Sequence, residues 1–257
     1  MTKISIITIN LNNQQGLKRT IESVVSQTSS DYEYIVVDGD SNDGSKEVIV
    51  SYGQKINKAI IGKDTGIYHA MNKGIAVASG EYLLFLNSGD HLKNDHVMHQ
   101  VASFLNGEEV IGGSMIKIVN GKEHLAESPA EITVDWFMEV SLHHQATFIK
   151  RDLFLKLGMY REDYRLGGDY EFFVRALLVN NASYKSIDTV ISVFYADGIS
   201  NQPSWMELNM KEKQRTWDIH FSKEVQDNIK AYYDLLGSKE IKWGRRVMNR
   251  LPFLKKL

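Results

Sequence analysis

The sequence predicts an α/β protein with a mostly parallel central sheet flanked by helices. From residue 3 to residue 90, short apolar runs alternate with segments of helical periodicity. Two of the apolar runs end in small acidic turns, Asp38–Ser45 and Asn87–Asp90. This strand–helix order gives parallel strands with right-handed crossovers. We therefore expect both acidic turns at the carboxyl edge of the sheet, where open α/β sheets bind ligands.

Strands and helices alternate regularly in the first half of the chain. The predicted elements are Ile4–Ile9, Leu17–Gln27, Tyr34–Val37, Lys46–Tyr52, Lys58–Ile61, Ile67–Ala78 and Tyr82–Leu86. The last of these is apolar throughout, which predicts a central strand. The second half is less regular, and its predicted elements are His96–Leu105, Val110–Val119, Tyr170–Leu178, Tyr184–Tyr195 and Trp205–Leu236. Asn120-Gly121 indicates a hairpin turn.

Composition excludes several classes of protein. A chain of 257 residues suffices for one large domain or one domain with a small appendage. The formal net charge of -2 gives no general attraction to nucleic acid. The absence of cysteine excludes disulfides and thiolate metal sites. We expect one domain over residues 1–203, ending at Pro203, and a helical extension over residues 204–257 with a basic amphipathic tail.

The sequence predicts a cytoplasmic location with a peripheral membrane contact. The amino terminus lacks the features of a signal peptide, and no window approaches the ~20 apolar residues of a membrane span. The tail Lys239–Leu257 carries seven basic residues and one acidic residue, interleaved with Trp243 and other apolar side chains. Such a segment is typical of an anchor on the inner face of the cell membrane. A solvated tail, or one packed on a partner, is the alternative.

The turn Asp38–Ser45 has a functional and a structural interpretation. The spacing argues against an EF-hand, because the glycine falls at the seventh position and Ile49 occupies the twelfth. A carboxylate at the end of a buried strand can accept hydrogen bonds from a nucleobase or a ribose, and a solvated polar turn is the alternative. The dinucleotide fingerprint G-x-G-x-x-G after the first strand and the P-loop motif are both absent.

Two further clusters follow the third and fourth strands. Asp64 follows the third strand, and Asn72 and Lys73 lie about two turns into the next helix, where Lys73 faces either a phosphate or solvent. Asp90 is the best metal candidate, with Asn87 and Ser88 offering neutral oxygens. One carboxylate and the oxygens of a diphosphate would suit Mg²⁺ or Mn²⁺.

A last cluster lies after the flexible stretch Gly158–Asp169. Asp169 is predicted either as a helix N-cap or as a general base toward a hydroxyl, and Glu171 is a weaker candidate for the same role. Adjacent histidines diverge on a strand or a helix, so His143 and His144 predict a substrate contact or a packed side chain rather than a zinc site. We expect His144, Gly168 and Glu171 to contact the acceptor, meaning the substrate that carries this hydroxyl.

Taken together, several segments resemble glycosyltransferase family 2, in its bacterial branch that builds capsule, O-antigen or exopolysaccharide. They are Ser5–Asn12, Ser23–Thr28, Asp38–Ser45, Gly66–Gly74, Gly80–Asp90, His144–Phe148, Asp169–Glu171 and Gly198–Ser200. The resemblance implies a GT-A fold, a nucleotide-diphosphate sugar donor, a divalent cation (Mg²⁺ or Mn²⁺) and inversion at the anomeric carbon.

The resemblance also implies roles for single residues. Donor-binding positions would be Ile9, Asn10, Asp38, Asp64, Asn72, Lys73 and Ser88, with Ile9 and Asn10 lining the base pocket through their backbone, Asp38 holding the base and Asp64 the base or the ribose. Asp90 would bind the metal, and Asp169 would deprotonate the acceptor hydroxyl. The family's metal motif usually carries two or three acids, whereas Asn87-Ser88-Gly89-Asp90 carries one.

The leading hypothesis is an inverting glycosyltransferase that uses a UDP-sugar to extend a glycan or a lipid-linked oligosaccharide. A nucleotidylyltransferase is an alternative, but Leu11-Asn12-Asn13-Gln14 is not the glycine- and arginine-rich loop that it requires after the first strand. A non-catalytic nucleotide-sugar-binding partner of a synthase complex is a second alternative, against which the presence of Asp90 and Asp169 argues.

Overall fold

The computed structural model describes residues 3–196 and 203–237 of the chain. The strands are β1 (Ile4–Asn10), β2 (Tyr32–Asp38), β3 (Lys58–Ile61), β4 (Tyr82–Phe85), β5 (His91–Leu92), β6 (Val110–Val119), β7 (Lys122–Ala126), β8 (Thr147–Lys150) and β9 (Tyr184–Tyr195). The α-helices are α1 (Gln14–Val25), α2 (Ser45–Tyr52), α3 (Ile67–Val77), α4 (Val97–Val101), α5 (Val134–Glu139), α6 (Arg151–Leu157), α7 (Gly168–Phe173), α8 (Pro203–His220) and α9 (Lys223–Gly237).

The strands form one mixed sheet in the order β3-β2-β1-β4-β8-β6-β9-β5, with β7 paired to β6. Strands β1 to β4 are parallel, as the strand–helix alternation predicts. Beyond β4 the sheet becomes mixed, because β8 runs antiparallel to both β4 and β6 while β9 runs parallel to β6. The predicted central position of β4 is confirmed, since it lies between β1 and β8.

The core explains why the carboxyl ends of the parallel strands lie close together. Every residue of β1 is buried, and Leu17, Ile21 and Val24 of α1 have no exposed surface. Helix α3 packs tightly on β1, because a Cβ added at Gly74 would lie 2.5 Å from Cγ2 of Ile7. These contacts hold the parallel strands in one register and present their carboxyl-end loops together.

Several predicted elements differ in their extent. Helix α4 covers only part of His96–Leu105, and α7 begins at Gly168 and continues into a π-helical turn, Val174–Val179. The segment Trp205–Leu236 is two helices rather than one, because Ser222 Oγ accepts a hydrogen bond from Val225 N at 3.3 Å and starts a second helix. The predicted hairpin is confirmed, with Asn120 and Gly121 both at positive φ.

The chain divides into two compact units, Met1–Lys213 and Gln214–Leu257. The first unit therefore extends past the boundary predicted at residue 203, and it includes the first part of α8. Among the described residues no helix combines the length and the apolar character that crossing a membrane requires. The predicted tail and the segment Gly198–Ser200 lie outside the described residues.

Candidate active site

Asp38 and Asn10 lie side by side at the ends of β2 and β1. The Asp38 carboxylate is buried and accepts hydrogen bonds from Asn10 Nδ2 at 2.7 Å, from Ser41 Oγ at 2.8 Å and from Ser41 N at 2.8 Å. Asn10 Oδ1 is buried and has no hydrogen-bond donor among the described residues. A buried acceptor without a donor is costly, so a ligand N–H or hydroxyl would gain free energy here.

Two backbone carbonyls of β1 are already hydrogen-bonded at this edge of the sheet. The carbonyls of Ile9 and Asn10 accept hydrogen bonds from Ser88 N and Gly39 N, respectively. The Ser88 carbonyl in turn accepts a hydrogen bond from Asn13 Nδ2 at 3.0 Å. Ile9, Asn10 and Ser88 therefore lie together. These two carbonyls have partners, whereas Asn10 Oδ1 has none among the described residues.

The turn Asp38–Ser45 is held by the loop that follows β1. Asn12 N donates to Ser41 Oγ at 2.8 Å, Asn12 Oδ1 accepts from Asn42 N at 2.9 Å, and Asp43 Oδ2 accepts from Gln14 N at 2.7 Å. These bonds satisfy much of the turn within the protein, as the polar-turn interpretation expects. They also hold in place the turn that begins at Asp38.

Asp64 and Lys73 form an ion pair next to this turn. Lys73 Nζ lies 2.5 Å from Asp64 Oδ1 and donates to the carbonyls of Gly62 at 3.2 Å and Lys63 at 2.9 Å. A Cβ at Gly39 would lie 3.1 Å from Asp64 Oδ2, so this glycine allows the two loops to approach. Lys73 is thus occupied in closing the loop after β3, which argues against its predicted contact with a phosphate.

Asn72 has a structural role. It is 8% exposed, its Nδ2 donates to Tyr160 O and to Glu162 Oε1, both at 2.9 Å, and its Oδ1 accepts from Tyr160 N at 3.1 Å. Both ends of the amide are therefore used to hold the loop that precedes Gly168. This arrangement argues against the predicted contact of Asn72 with the donor.

Asp90 is buried at the end of the loop that follows β4. Thr20 on α1 holds this loop, since its hydroxyl donates to Asp90 O at 2.6 Å and accepts from Gly89 N at 3.0 Å. Burial raises the pKa of the Asp90 carboxyl to about 7, while His144, Gln145 and Arg19 act in the opposite direction. An acid desolvated in this way gains free energy when a cation approaches it.

The oxygen atoms on this loop fit a hard divalent cation that is bound partly by the protein and partly by a diphosphate. Asp90 supplies a carboxylate, and Asn87 Oδ1 is a buried amide oxygen without a donor among the described residues. Both are oxygen ligands, which Mg²⁺ and Mn²⁺ prefer. In the described part of the chain no three His, Cys, Asp or Glu side chains are grouped to hold a metal, so phosphates and water would complete the coordination.

Asp169 lies in the first turn of α7, where Gly167, and not Asp169, is the N-cap. Oδ1 of Asp169 accepts from Tyr68 Oη at 3.0 Å and from Tyr170 N at 2.9 Å, and Oδ2 contacts His144 Nδ1 at 2.9 Å. Burial favours the protonated acid, but these hydrogen bonds outweigh burial and hold the pKa of Asp169 below its usual range. The side chain keeps 18% of its surface exposed.

His144 joins Asp169 to the loop of Asp90. Its Nδ1 faces Asp169 Oδ2, and its Nε2 lies 3.2 Å from Nδ2 of Asn87. Asn87 O accepts a hydrogen bond from Asp90 N at 3.0 Å. The sequence-predicted residues Asp90, His144 and Asp169 therefore belong to one connected cluster.

Gly168 and Glu171 differ in their surroundings. A Cβ at Gly168 would lie 2.8 Å from the Tyr68 ring, so this glycine allows α7 to pack against Tyr68. Glu171 has no exposed surface and pairs through both oxygens with Arg175, at 3.0 Å. Its burial contradicts the predicted contact with an acceptor and leaves Asp169, at 18% exposure, as the more accessible carboxylate of this helix.

Sequence reasoning did not identify the contacts by which three residues support Asp169, directly or through another residue. These residues are Tyr68, Asn87 in its contact with His144, and Glu212, whose carboxylate binds the turn before α7. Tyr68 lies inside the segment Gly66–Gly74 that resembles the family, and this was the available signal for it. Glu212 carries no local signal, since it is one of several charged residues in α8.

Proteins similar to this chain are glycosyltransferases. The family profile described as Glycosyl transferase family 2 matches residues 5–161. A protein of Mycobacterium tuberculosis named as an uncharacterized glycosyltransferase is 34% identical over 228 residues, 84% of each chain. A PGL/p-HBAD biosynthesis glycosyltransferase of Mycobacterium bovis is 32% identical over 178 residues, 66% of this chain and 68% of that protein. The chain is a glycosyltransferase, and it belongs to glycosyltransferase family 2.

Solved structures show the same fold. TarS 1–349 of S. aureus in complex with UDP-GlcNAc superimposes with a TM-score of 0.68 at 19% identity, covering 87% of this chain and 69% of that one. The mannosyltransferase PcManGT from Pyrobaculum calidifontis in complex with GDP-Man and Mn²⁺ gives a TM-score of 0.60 at 12% identity, covering 93% and 82%. The predicted GT-A fold is confirmed.

Proposed function

We propose that this glycosyltransferase is inverting and moves a sugar from a nucleotide-diphosphate donor, a UDP-sugar, to a hydroxyl of a glycan or lipid-linked oligosaccharide in bacterial surface polysaccharide synthesis. One observation carries the proposal: His144 connects the carboxylate of Asp169 to the loop of Asp90 through two contacts. These contacts support a role for Asp169 as the proton acceptor beside the loop that would hold the diphosphate. The UDP-GlcNAc bound to TarS supports the donor class.

On the donor side, the nucleoside would lie against Asn10, Asp38 and Asp64 at the ends of the parallel strands. Asn10 Oδ1 would accept a hydrogen bond from the base or the ribose, since it is the buried acceptor that lacks a donor among the described residues there. Asp90, with Ser88 beside it, would hold the divalent cation. When bound, the cation offsets the negative charge that develops on the departing diphosphate.

On the acceptor side, Asp169 takes the proton of the attacking hydroxyl. Its Oδ2 makes one hydrogen bond and keeps a lone pair, whereas its Oδ1 already makes two. The acceptor oxygen forms the new bond to the anomeric carbon while the bond to the diphosphate breaks, and the proton ends on Asp169. A single in-line displacement of this kind inverts the anomeric carbon. His144 holds the carboxylate toward this position.

The donor site is tested by thermal shift with UDP-GlcNAc, UDP-glucose, UDP-galactose and GDP-mannose, each with and without Mn²⁺. A ligand that binds the folded chain raises the melting temperature by mass action, and we expect a UDP-sugar with Mn²⁺ to give the largest rise. If none of these ligands changes the melting temperature, the donor site is refuted.

The base is tested with Asp169→Asn. The amide cannot accept the proton, so nucleotide-sugar turnover, measured as UDP release, should fall by about 10²- to 10⁴-fold while UDP binding is retained. Asp188→Asn, an exposed carboxylate of β9, is the matched control and should retain full activity. Full turnover by Asp169→Asn would remove this residue from the base role.

Association with the inner membrane face is a further part of the proposal, supported by the basic and apolar residues of Lys239–Leu257. Flotation with vesicles that contain anionic lipid should recover the full chain and lose a chain cut at residue 238. Equal flotation of both chains would reject the tail as the anchor.

A further inference from the structure

We propose that Glu212 of α8 is a positioning residue for the reaction, because it holds the backbone turn that places Asp169. The inference rests on the proposed function, in which Asp169 is the base. Glu212 lies beyond residues 5–161, which the family profile matches, and beyond the domain boundary predicted at residue 203. It nevertheless belongs to the same compact unit as the site.

The Glu212 carboxylate binds three consecutive backbone N–H groups. Its Oε1 accepts from Arg165 N at 2.7 Å, and its Oε2 accepts from Leu166 N at 2.9 Å and Gly167 N at 2.7 Å. The residue is 6% exposed, so these bonds are shielded from water. Hydrogen bonds to an ionised carboxylate are shorter and stronger than those between neutral groups. This one side chain therefore determines the conformation of the turn Arg165–Gly167.

The same turn leads directly to the proposed base. Gly167 is the N-cap of α7, and its carbonyl accepts a hydrogen bond from Glu171 N at 2.9 Å. The Leu166 carbonyl accepts from the Tyr68 hydroxyl at 2.5 Å, and this hydroxyl also lies 3.0 Å from Asp169 Oδ1. The turn is thus held by Tyr68 on one side and by Glu212 on the other. A shift of the turn would move both Asp169 and its Tyr68 contact.

The next residue of α8 makes a second contact with α7. The Lys213 ammonium lies 4.9 Å from the centroid of the Tyr170 ring, and its charge interacts with that of Asp169. Two consecutive residues of α8 therefore contact α7 and the turn before it. The bonds of Glu212 go to residues 165–167, whereas Asn10, Asp38 and Asp90 lie at the ends of β1 and β2 and in the loop after β4. We therefore expect the effect of losing Glu212 to be confined to the acceptor side.

The consequences differ between two substitutions of Glu212. Glu212→Ala removes all three acceptor bonds, and a small displacement of a catalytic group costs on the order of 100-fold in rate, so we expect kcat to fall about 100-fold. Glu212→Gln keeps one acceptor oxygen, enough for Leu166 and Gly167 but not for Arg165, and should lose only about tenfold. The KM for the donor should stay unchanged in both variants.

The test combines two measurements on the full chain. Hydrogen–deuterium exchange of the peptide over residues 165–171 needs no substrate, and we expect Glu212→Ala to exchange at least tenfold faster there, roughly in proportion to the lost protection, with no change over residues 38–45. UDP release and UDP binding are then compared for the wild type, Glu212→Ala, Glu212→Gln and Asp169→Asn. Glu207→Ala is the control, since Glu207 lies on the same helix, is 71% exposed and forms a surface ion pair with Lys211.

Each outcome decides one of the two proposals. Unchanged exchange over residues 165–171 in Glu212→Ala overturns the positioning role, as does a kcat equal to that of Glu207→Ala when Asp169→Asn is inactive. Weakened UDP binding in Glu212→Ala also overturns it, because a general loss of structure would then explain the effect. If Asp169→Asn is fully active, the base assignment of the proposed function fails, whatever Glu212 does.

Discussion

At the scale of single residues, the carboxylate of Asp169 depends on side chains that are distant in sequence. Tyr68 lies 101 positions away and His144 lies 25 positions away, yet both contact this carboxylate within 3.0 Å. Burial raises the pKa of Tyr68 well above its usual value, so its hydroxyl stays protonated. These contacts hold the acid ionised and oriented before any acceptor arrives.

His144→Gln tests the link between Asp169 and the loop after β4. A glutamine cannot span Asp169 and Asn87 with the geometry of a ring, so we expect kcat to fall by about 10- to 100-fold and UDP affinity to stay within twofold, roughly the scatter for a variant that spares binding. Steady-state UDP release and calorimetric UDP titration measure the two quantities. His124→Gln, an exposed position of β7, is the control. Equal losses of kcat and UDP affinity would contradict a role confined to the acid.

Glu33 predicts a stability effect at acid pH. Burial favours its protonated form, but hydrogen bonds from Ser5, Lys58 and Ser79 outweigh burial and lower its pKa from 4.5 to about 2. The lowered pKa contributes about 3 kcal/mol to the free energy of unfolding, by order of magnitude. This contribution is present above pH 4.5 and is lost as the pH falls toward 2.

Urea unfolding of the wild type and Glu33→Gln between pH 7 and pH 2.5 measures this contribution. The stability difference between them should shrink steadily below about pH 4.5, where the unfolded chain takes up its proton. Glu22→Gln, a side chain that is 56% exposed, should show no such change. A difference that stays constant with pH would contradict the ionised, hydrogen-bonded Glu33.

At the scale of elements, the contacts of α3 connect the proposed donor side to the proposed acceptor side. Tyr68 contacts Asp169, Asn72 holds Tyr160, Lys73 pairs with Asp64, and Gly74 packs on Ile7. Four positions of one helix thus tie together β1, the loop after β3 and the base-bearing turn. This explains why polar residues of the segment are buried.

Gly74→Ala tests the packing of α3 on β1. Alanine favours the helix by about 1 kcal/mol, but its Cβ would lie 2.5 Å from Ile7 Cγ2, and such overpacking costs about 1–3 kcal/mol. We expect a net loss of about 1–2 kcal/mol in the free energy of urea unfolding. Gly62→Ala, where the Cβ would meet nothing within 4 Å, is the control. A variant as stable as the wild type would show that the sheet yields to the added methyl.

The strand ends and the motif residues could be predicted from the sequence, but the side chains that they contact could not. Period and apolarity locate β1 to β4, so Asp38, Asp64 and Asp90 are predictable as residues of one sheet edge. Whether Lys73 meets Asp64 or a phosphate depends on the side-chain path across a loop, which spacing does not encode. The burial of Glu171 depends on Arg175 and on the loop carbonyls that Arg175 binds, Gly158 among them. The break at Phe221–Ser222 was missed because a serine cap competes with helical periodicity.

At the scale of the whole molecule, the sheet has two differently built parts. Strands β1 to β4 are parallel and carry Asn10, Asp38 and Asp90 at or just beyond their carboxyl ends. In the mixed part, β8 comes before the segment that carries Asp169 in the sequence, and β9 comes after it. The two proposed substrates would thus be bound by separate parts of one sheet, and His144 is a link between them.

Metal removal is the prediction at this scale. If Asp90 and the diphosphate share a cation, UDP with Mn²⁺ should raise the melting temperature, and EDTA should abolish most of that rise. Asp90→Asn should behave like EDTA treatment, because an amide oxygen replaces the charged ligand, whereas Asp95→Asn, an exposed acid near it in sequence, should not. A shift by UDP that is identical in EDTA would contradict the cation site.

The order of the strands has a consequence for synthesis of the protein. The order β3-β2-β1-β4 uses only strands made before residue 86, so the parallel part can pair as soon as it leaves the ribosome. The other edge of β4, Tyr82–Phe85, then stays unpaired until β8, Thr147–Lys150, has been synthesised. At about 5–20 residues per second this takes several seconds, during which a wholly apolar edge strand is open to wrong pairing. We expect this strand to be the segment of the nascent chain that most needs a chaperone.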